Sequence, residues 1–300
     1  MTTSTISHSW APWWTPEQVS CFLTHTTKIV QARYGAHTIN EAEGTVSISN
    51  NHCVLGLSNL AQTCRALDPE QWRLAIYSHV ARLEDFSPDI LAERLSNYEQ
   101  VREDLRVRIV GPQHLSHVDA VGDPLPLGLF ASLSVDLNGA CCPIDRSYLN
   151  SWDVPQATAM QVGLKNTLTQ EPLNISTDYT PQEKFLVFSG DSLFASGHLL
   201  DFCRLLPDVG ALGAVVAVPT AQMVIACPVL ESNHFVDASA AMLAASYLFY
   251  LDGPNSVSPN ALWWRPEHPL APYARLDSHA FELVAPVALQ ERLRELSEVR

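Results

Sequence analysis

The segment Phe188-Ser189-Gly190-Asp191-Ser192-Leu193 places a serine directly after an apolar strand. From such a position a hydroxyl can attack an ester or acyl carbon. That chemistry needs a base within hydrogen-bond reach of the serine and donors aimed at the developing oxyanion. Four histidines follow: His198, His234, His268 and His279. The residues three before them are Ala195, Glu231, Arg265 and Leu276, so only Glu231-Ser232-Asn233-His234 pairs a carboxylate with an imidazole at that spacing. The catalytic candidates are therefore Ser192, His234 and Glu231. A plainer role competes with this one. An Asp or Ser at the end of a strand caps the helix that follows, its oxygen accepting from an otherwise unpaired backbone N–H.

A second cluster, His114-Leu115-Ser116-His117-Val118-Asp119, brings three groups of zinc-ligand type together in six residues. His114, His117 and Asp119 are the metal candidates, but no fourth ligand stands nearby, and a polar loop explains the composition equally. Gly210 to Gly213 lacks the spacing of a phosphate-binding loop, and no strand is followed by GxxxxGK[ST] or GxGxxG. No cofactor is expected. Asp136, Asp145 and Asp237 each fall at a strand or helix end, where a carboxylate has a local backbone role. Trp10, Trp13 and Trp14 could form an exposed aromatic patch for a partner, or could staple onto the helix that follows them.

These residues must be placed by the elements around them. Thr15-Pro16-Glu17-Gln18 is a helix start, with a threonine cap, proline in the first turn and glutamine three after the cap. Val19, Phe22, Leu23, Thr26 and Val30 continue it at helical spacing up to Gly35. Two strands, 45–48 and 53–57, flank a polar turn at 49–52. Asp68-Pro69-Glu70-Gln71 repeats the cap pattern and launches a helix with Trp72, Ile76, His79, Val80 and Leu83 near one face. One or two surface helices are expected between Pro88 and Glu103. Arg alternates with Leu, Val and Ile over 105–110, as in a half-exposed strand.

Further along, 112–126 reads as a loop, 127–137 as an apolar strand and 153–168 as a helix. Segment 172–181 reads as a loop, 185–188 as a strand and 192–206 as a helix. Strands 212–218 and 223–229 flank Pro219-Thr220-Ala221-Gln222 as a hairpin. Segment 237–251 has no charge in its interior, which predicts a central helix apolar on nearly every side. Leu262-Trp263-Trp264 reads as a last strand and 289–299 as a solvated helix. Helices interleave with hairpin-paired strands, so the expected class is α+β, with a mixed, largely antiparallel sheet, packed helices and two intimate lobes. The expected division is an N-terminal lobe at 1–111, a C-terminal lobe at 127–265 and an extension at 266–300.

Composition excludes some functions. With 47% apolar and 17% charged residues, the 300-residue chain can build a substantial core. Its formal charge of −14 opposes general nucleic-acid binding and electrostatic docking on anionic lipid. The seven cysteines form no CxxC pair, and Cys141-Cys142 reads as a neutral turn rather than a redox pair. Met1 to Trp14 has neither a basic nor an apolar segment of secretory type, and no unbroken apolar run reaches about 18 residues. A cytoplasmic protein is the expectation.

Two resemblances add to this. Phe188 to Leu193 resembles the nucleophile block of the GDSL esterases, which implies Ser192 as nucleophile. That family also has a DxxH block near the C-terminus, which this chain lacks, and its nucleophile block opens the domain instead of arriving after 188 residues. The second resemblance spans most of 45–265 and rests on the order of several motifs. They are Leu57-Ser58-Asn59-Leu60 with Cys64 and Glu70-Gln71-Trp72, then Leu127-Gly128-Leu129 to Leu133 with Val135-Asp136-Leu137. Ile144-Asp145, Leu149, Trp152 and Asn166-Thr167-Leu168 follow, then Asp191, Ala195-Ser196 and Leu199-Leu200. Together with the hairpin and the helix at 237–251 they are similar to the YtpQ-like proteins, a family of uncharacterised bacterial cytosolic proteins. That resemblance implies a shared fold and no particular chemistry. Two function classes follow: a non-enzymatic binding or interaction protein with an unidentified protein partner, and an ester hydrolase using Ser192.

Overall fold

The structure is a computed structural model. It describes residues 10–11, 13–42, 44–48, 53–81, 88–114, 119–137, 140–180, 183–207, 209, 212–229, 235–277, 280–287, 289–291 and 294. The chain is α+β, and every sheet is antiparallel. It divides into two compact units, Met1–Arg94 and Leu95–Arg300.

In the first unit, helix α1 (Pro16–Tyr34) starts as its sequence dictates. The Gln18 N–H donates to Thr15 Oγ1, and the Thr15 N–H donates back to the Gln18 side chain at 2.9 Å, closing a capping box. The helix ends at Gly35, whose φ of 72° is left-handed. Strands β1 (His37–Asn40), β2 (Thr45–Ile48) and β3 (Cys53–Gly56) form a three-stranded meander. The expected turn at 49–52 lies outside the described residues. Helices α2 (Ser58–Arg65) and α3 (Pro69–Ala81) follow, and α4 (Pro88–Ser96) carries the chain into the second unit. The core of the first unit gathers Phe22, Leu23 and Val30 from α1, Val46 and Ile48 from β2, and Trp72, Ile76 and Val80 from α3.

The second unit opens with the one-turn α5 (Tyr98–Val101) and β4 (Leu105–Val110). Strand β4 pairs on one side with β6 (Phe130–Leu137). The other edge of β6 is shared by β5 (Gly122–Pro124) and β7 (Ala140–Pro143), one after the other. Between them the Leu133 N–H donates to the Val121 carbonyl and the Ile144 N–H donates to the Leu133 carbonyl, so the ladder is continuous. The segment expected as a loop at 112–126 thus holds β5. Cys141 and Cys142 lie in a strand, not a turn, and their side chains point to opposite faces. The short α6 (Arg146–Ser151) and the 15-residue α7 (Gln156–Gln170) come next.

A seven-stranded sheet completes the unit, with β8 (Asn174–Thr180), β9 (Glu183–Ser189), β10 (Ala214–Thr220), β11 (Met223–Pro228), β12 (Ala261–Trp264), β13 (Ala271–Asp277) and β14 (Ala280–Leu283). Their spatial order is β14-β13-β12-β10-β11-β9-β8. Alternate residues face opposite ways. Val187, Val215, Ala217, Ile225, Cys227 and Trp263 meet α8 (Phe235–Asp252) through Phe235, Ala238 and Met242. On the opposite face Phe188 and Trp264 stack edge-on against Phe202, at ring distances of 5.4 and 5.2 Å. Phe202 belongs to the stretch Ala195–Arg204, which is a kinked 3-10 helix and not the regular helix expected over 192–206. Its kink is at Asp201, with φ −130° and ψ 53°.

Four expectations are corrected. The division falls at Arg94–Leu95, not in 112–126, because β4 is the pairing partner of β6 and belongs to the second unit. The residues beyond 266 are no separate extension, since β13 and β14 continue the seven-stranded sheet and Leu289 is buried in its core. Segment 172–181, expected as a loop, is mostly β8, paired with β9 over its length. Helix α8 is not buried all round. One stripe faces solvent at Ala240, Ala244, Leu248 and Leu251, the last two 59% and 41% exposed.

Candidate functional site

Strand β9 ends at Ser189, and the Gly190 N–H donates to the Gln222 carbonyl at 3.0 Å. This sets the start of the following segment against the β10–β11 turn. Ser192 is half-buried, and its Oγ accepts the Phe194 N–H at 3.1 Å. The hydroxyl thus closes a local turn one residue before the 3-10 helix begins, in the manner of a serine that organises a helix entry. Among the described residues no histidine is bonded to it. Asp191 is exposed, and Glu231 and His234 lie outside the described residues.

His198, the nearest downstream histidine in sequence, is buried six positions on. Its Nε2 sits 2.8 Å from the Glu171 carbonyl oxygen. A carbonyl only accepts, so Nε2 carries the proton and donates. Burial first, and the Arg204 charge second, push the imidazole below its ordinary pKa. His198 is therefore a neutral donor fixed to the backbone, at the end of a larger polar cluster.

The centre of that cluster is Arg106. Sequence alternation placed its side chain on the wet face of β4, but Arg106 is only 5% exposed. Its Nε donates to Glu171 Oε1 at 2.7 Å, one terminal nitrogen donates to Gln170 Oε1, and the other donates to the carbonyls of Glu103 and Leu105. Glu171 follows α7 directly and is 8% exposed. The guanidinium is thus paired and hydrogen-bonded, as a buried charge must be.

The same cluster covers the outer edge of β4. The Val107 N–H donates to Thr167 Oγ1 at 2.9 Å, and the Ile109 N–H donates to Ser196 Oγ at 3.0 Å. Asn166 Nδ2 donates to the Arg102 and Leu105 carbonyls at 2.9 and 3.1 Å. Two glycines permit this approach. A methyl at Gly163 would press on Leu133, and one at Gly197 would overlap the Val107 carbonyl. Ser196 also donates its own N–H to the Ala221 carbonyl in the β10–β11 turn, at 2.9 Å. One residue therefore clips the four-stranded sheet to the seven-stranded one.

The remaining candidates are dispersed. His114 is exposed at the end of a single 3-10 turn, and Asp119 is exposed and 3.6 Å from Arg146. His117 lies outside the described residues, and the described residues contain no group of three or more ligands placed to hold a metal. Asp145 caps α6, accepting from the Ser147 hydroxyl and N–H; these bonds hold its carboxyl below the usual carboxylate range. Burial pushes the Cys64 thiol up to about 12, and burial with the neighbouring Cys141 pushes Cys142 up to about 11. Neither is a ready nucleophile.

The tryptophan patch is overturned. Trp10 is 6% exposed, lies against Gly44 and donates its indole N–H to the Glu41 carbonyl at 2.8 Å. Trp14 is half-buried between Phe22 and Trp72, with ring distances of 5.0 and 4.8 Å, and Trp13 lies under the Arg65 guanidinium. The three rings staple the chain entry to α1, α2 and α3, because their apolar faces have a core to join.

Such a fold, with Arg106, Asn166, Thr167, Ser196 and His198 spent on joining elements, defines an α+β protein with a structural polar latch. Compared with protein-family models, with curated proteins and with solved structures, the chain matches none. Among the described residues no helix is long and apolar enough to cross a membrane.

Proposed function

We propose that this protein is a non-enzymatic binding or interaction protein of the cytoplasm, related in fold to the YtpQ-like proteins. One observation carries it: among the described residues, Ser192, His198 and Arg106 are committed to the backbone or to a partner side chain. Ser192 accepts from Phe194, His198 donates to Glu171, and Arg106 is paired with Glu171. The residues that carry the family resemblance have the same character. Asn166, Thr167 and Ser196 bond the edge of β4, while Trp152 donates its indole N–H to the Leu95 carbonyl. Cys21, Cys64, Cys141, Cys142, Cys203 and Cys227 are free thiols, as suits a reducing compartment.

The test is hydrolysis of p-nitrophenyl acetate by the wild type and by Ser192→Ala. Equal rates at the level of buffer are expected. A Ser192-dependent rate more than about tenfold above background would replace this proposal with the esterase, since a lost nucleophile costs orders of magnitude.

A further inference from the structure

The outward faces of α1 and α3 bound an open groove of about 910 Å³ in the first unit. Lys28, Ile29 and Arg33 line it from α1; Arg73, Leu74 and Tyr77 line it from α3. Within each helix these positions fall within about a turn and a half and share a face. The same two helices supply Phe22, Val30, Trp72 and Ile76 to the core, and Ile29 packs against its margin. Leu74 and Tyr77, by contrast, are 70% and 51% exposed. The Arg33 guanidinium lies 5.3 Å from the centre of the Tyr77 ring, which fixes both on the groove wall.

Its charge is opposite to that of the chain. The molecule carries 32 carboxylates against 18 Lys and Arg, but three of those cations and one carboxylate, Glu70, line the groove. A short ligand feels chiefly the charges within a Debye length of roughly 8–10 Å, and those that line the groove are mostly cationic. A long polyanion such as nucleic acid would also meet the acidic remainder. Apolar Ile29, Leu74 and Tyr77 lining the groove beside cations match an amphipathic helix with leucines on one face and carboxylates on its flanks.

We propose that this groove binds an acidic amphipathic helix of a partner protein. Its apolar stripe rests on Ile29, Leu74 and Tyr77, and its carboxylates face Lys28 and Arg73. The assignment rests on the binding-protein proposal above and names its site. The probe is a fluorescein-labelled synthetic peptide of about four helical turns, with leucines at i, i+3, i+4 and i+7 and glutamates elsewhere. Its counterpart has lysine for every glutamate. Fluorescence anisotropy with the full chain is expected to show the acidic peptide binding at least about tenfold more tightly than the basic one. Arg73→Glu and Leu74→Asp, both at exposed sites, should each weaken it by about tenfold or more with circular dichroism unchanged.

Equal binding of the two peptides, no binding of either, or full affinity in both groove variants overturns the groove. A loss in Leu248→Asp on α8, with the groove variants unaffected, overturns the groove while leaving a binding protein. The binding-protein proposal itself fails separately, on the Ser192-dependent esterase rate.

Discussion

His198 illustrates how a single buried group couples the fold to pH. Its ordinary pKa of 6.5 is lowered in the folded chain, chiefly by desolvation. Between the folded and unfolded values the unfolded chain binds the proton and the folded chain does not. The stabilisation is therefore complete above pH 6.5 and is lost as pH falls through that value toward the folded pKa. Urea midpoints should fall between pH 7.5 and pH 5.5, and this part of the fall should vanish in His198→Gln, whose amide can still donate to Glu171. An identical pH slope in the variant would contradict the assignment. Nothing local in Ser196-Gly197-His198-Leu199 reveals that the ring is buried against a residue 27 positions earlier.

At the scale of elements, the vulnerable feature is the outer edge of β4. An uncovered edge offers unpaired N–H and C=O groups to any passing strand. Here Asn166, Thr167 and Ser196 satisfy that edge, and Arg106 is drawn inside with its partner. Arg106→Met leaves Glu171 buried without its cation and should cost about 3–5 kcal/mol, whereas Arg106→Met with Glu171→Leu should recover most of it. Urea unfolding with an unchanged slope measures both. Equal losses in the single and double variants would show that the ion pair is not what holds the edge. The start of α1 was legible from four residues, since a capping box is completed within one turn. The burial of Arg106 was not, because alternation fixes which residues share a face but not which face another helix covers.

For the whole molecule, the described residues form one apolar cluster within the first unit and another within the second. Phe22→Ala removes a fully buried ring from the first unit and should cost it about 3–5 kcal/mol. Hydrogen exchange followed by mass spectrometry on the full chain should show faster exchange in α1 and α3, with 95–300 retaining its protection. Uniform loss across the chain would mean that the units unfold as one. The −14 charge acts at this scale too, opposing polyanion binding by the molecule as a whole while the α1–α3 groove is locally basic.

The sequence by itself determined the α+β class, the start of α1, the hairpin of β10 and β11, and the acidic character of the chain. Each rests on contacts within a few residues or on composition. Tertiary structure alone decided that the tryptophans are stapled inside, that Arg106 is buried, that the division falls at Arg94–Leu95 and that β13 and β14 extend the larger sheet. Those outcomes depend on which faces and edges meet across tens of residues, and a local pattern carries no record of its distant partner.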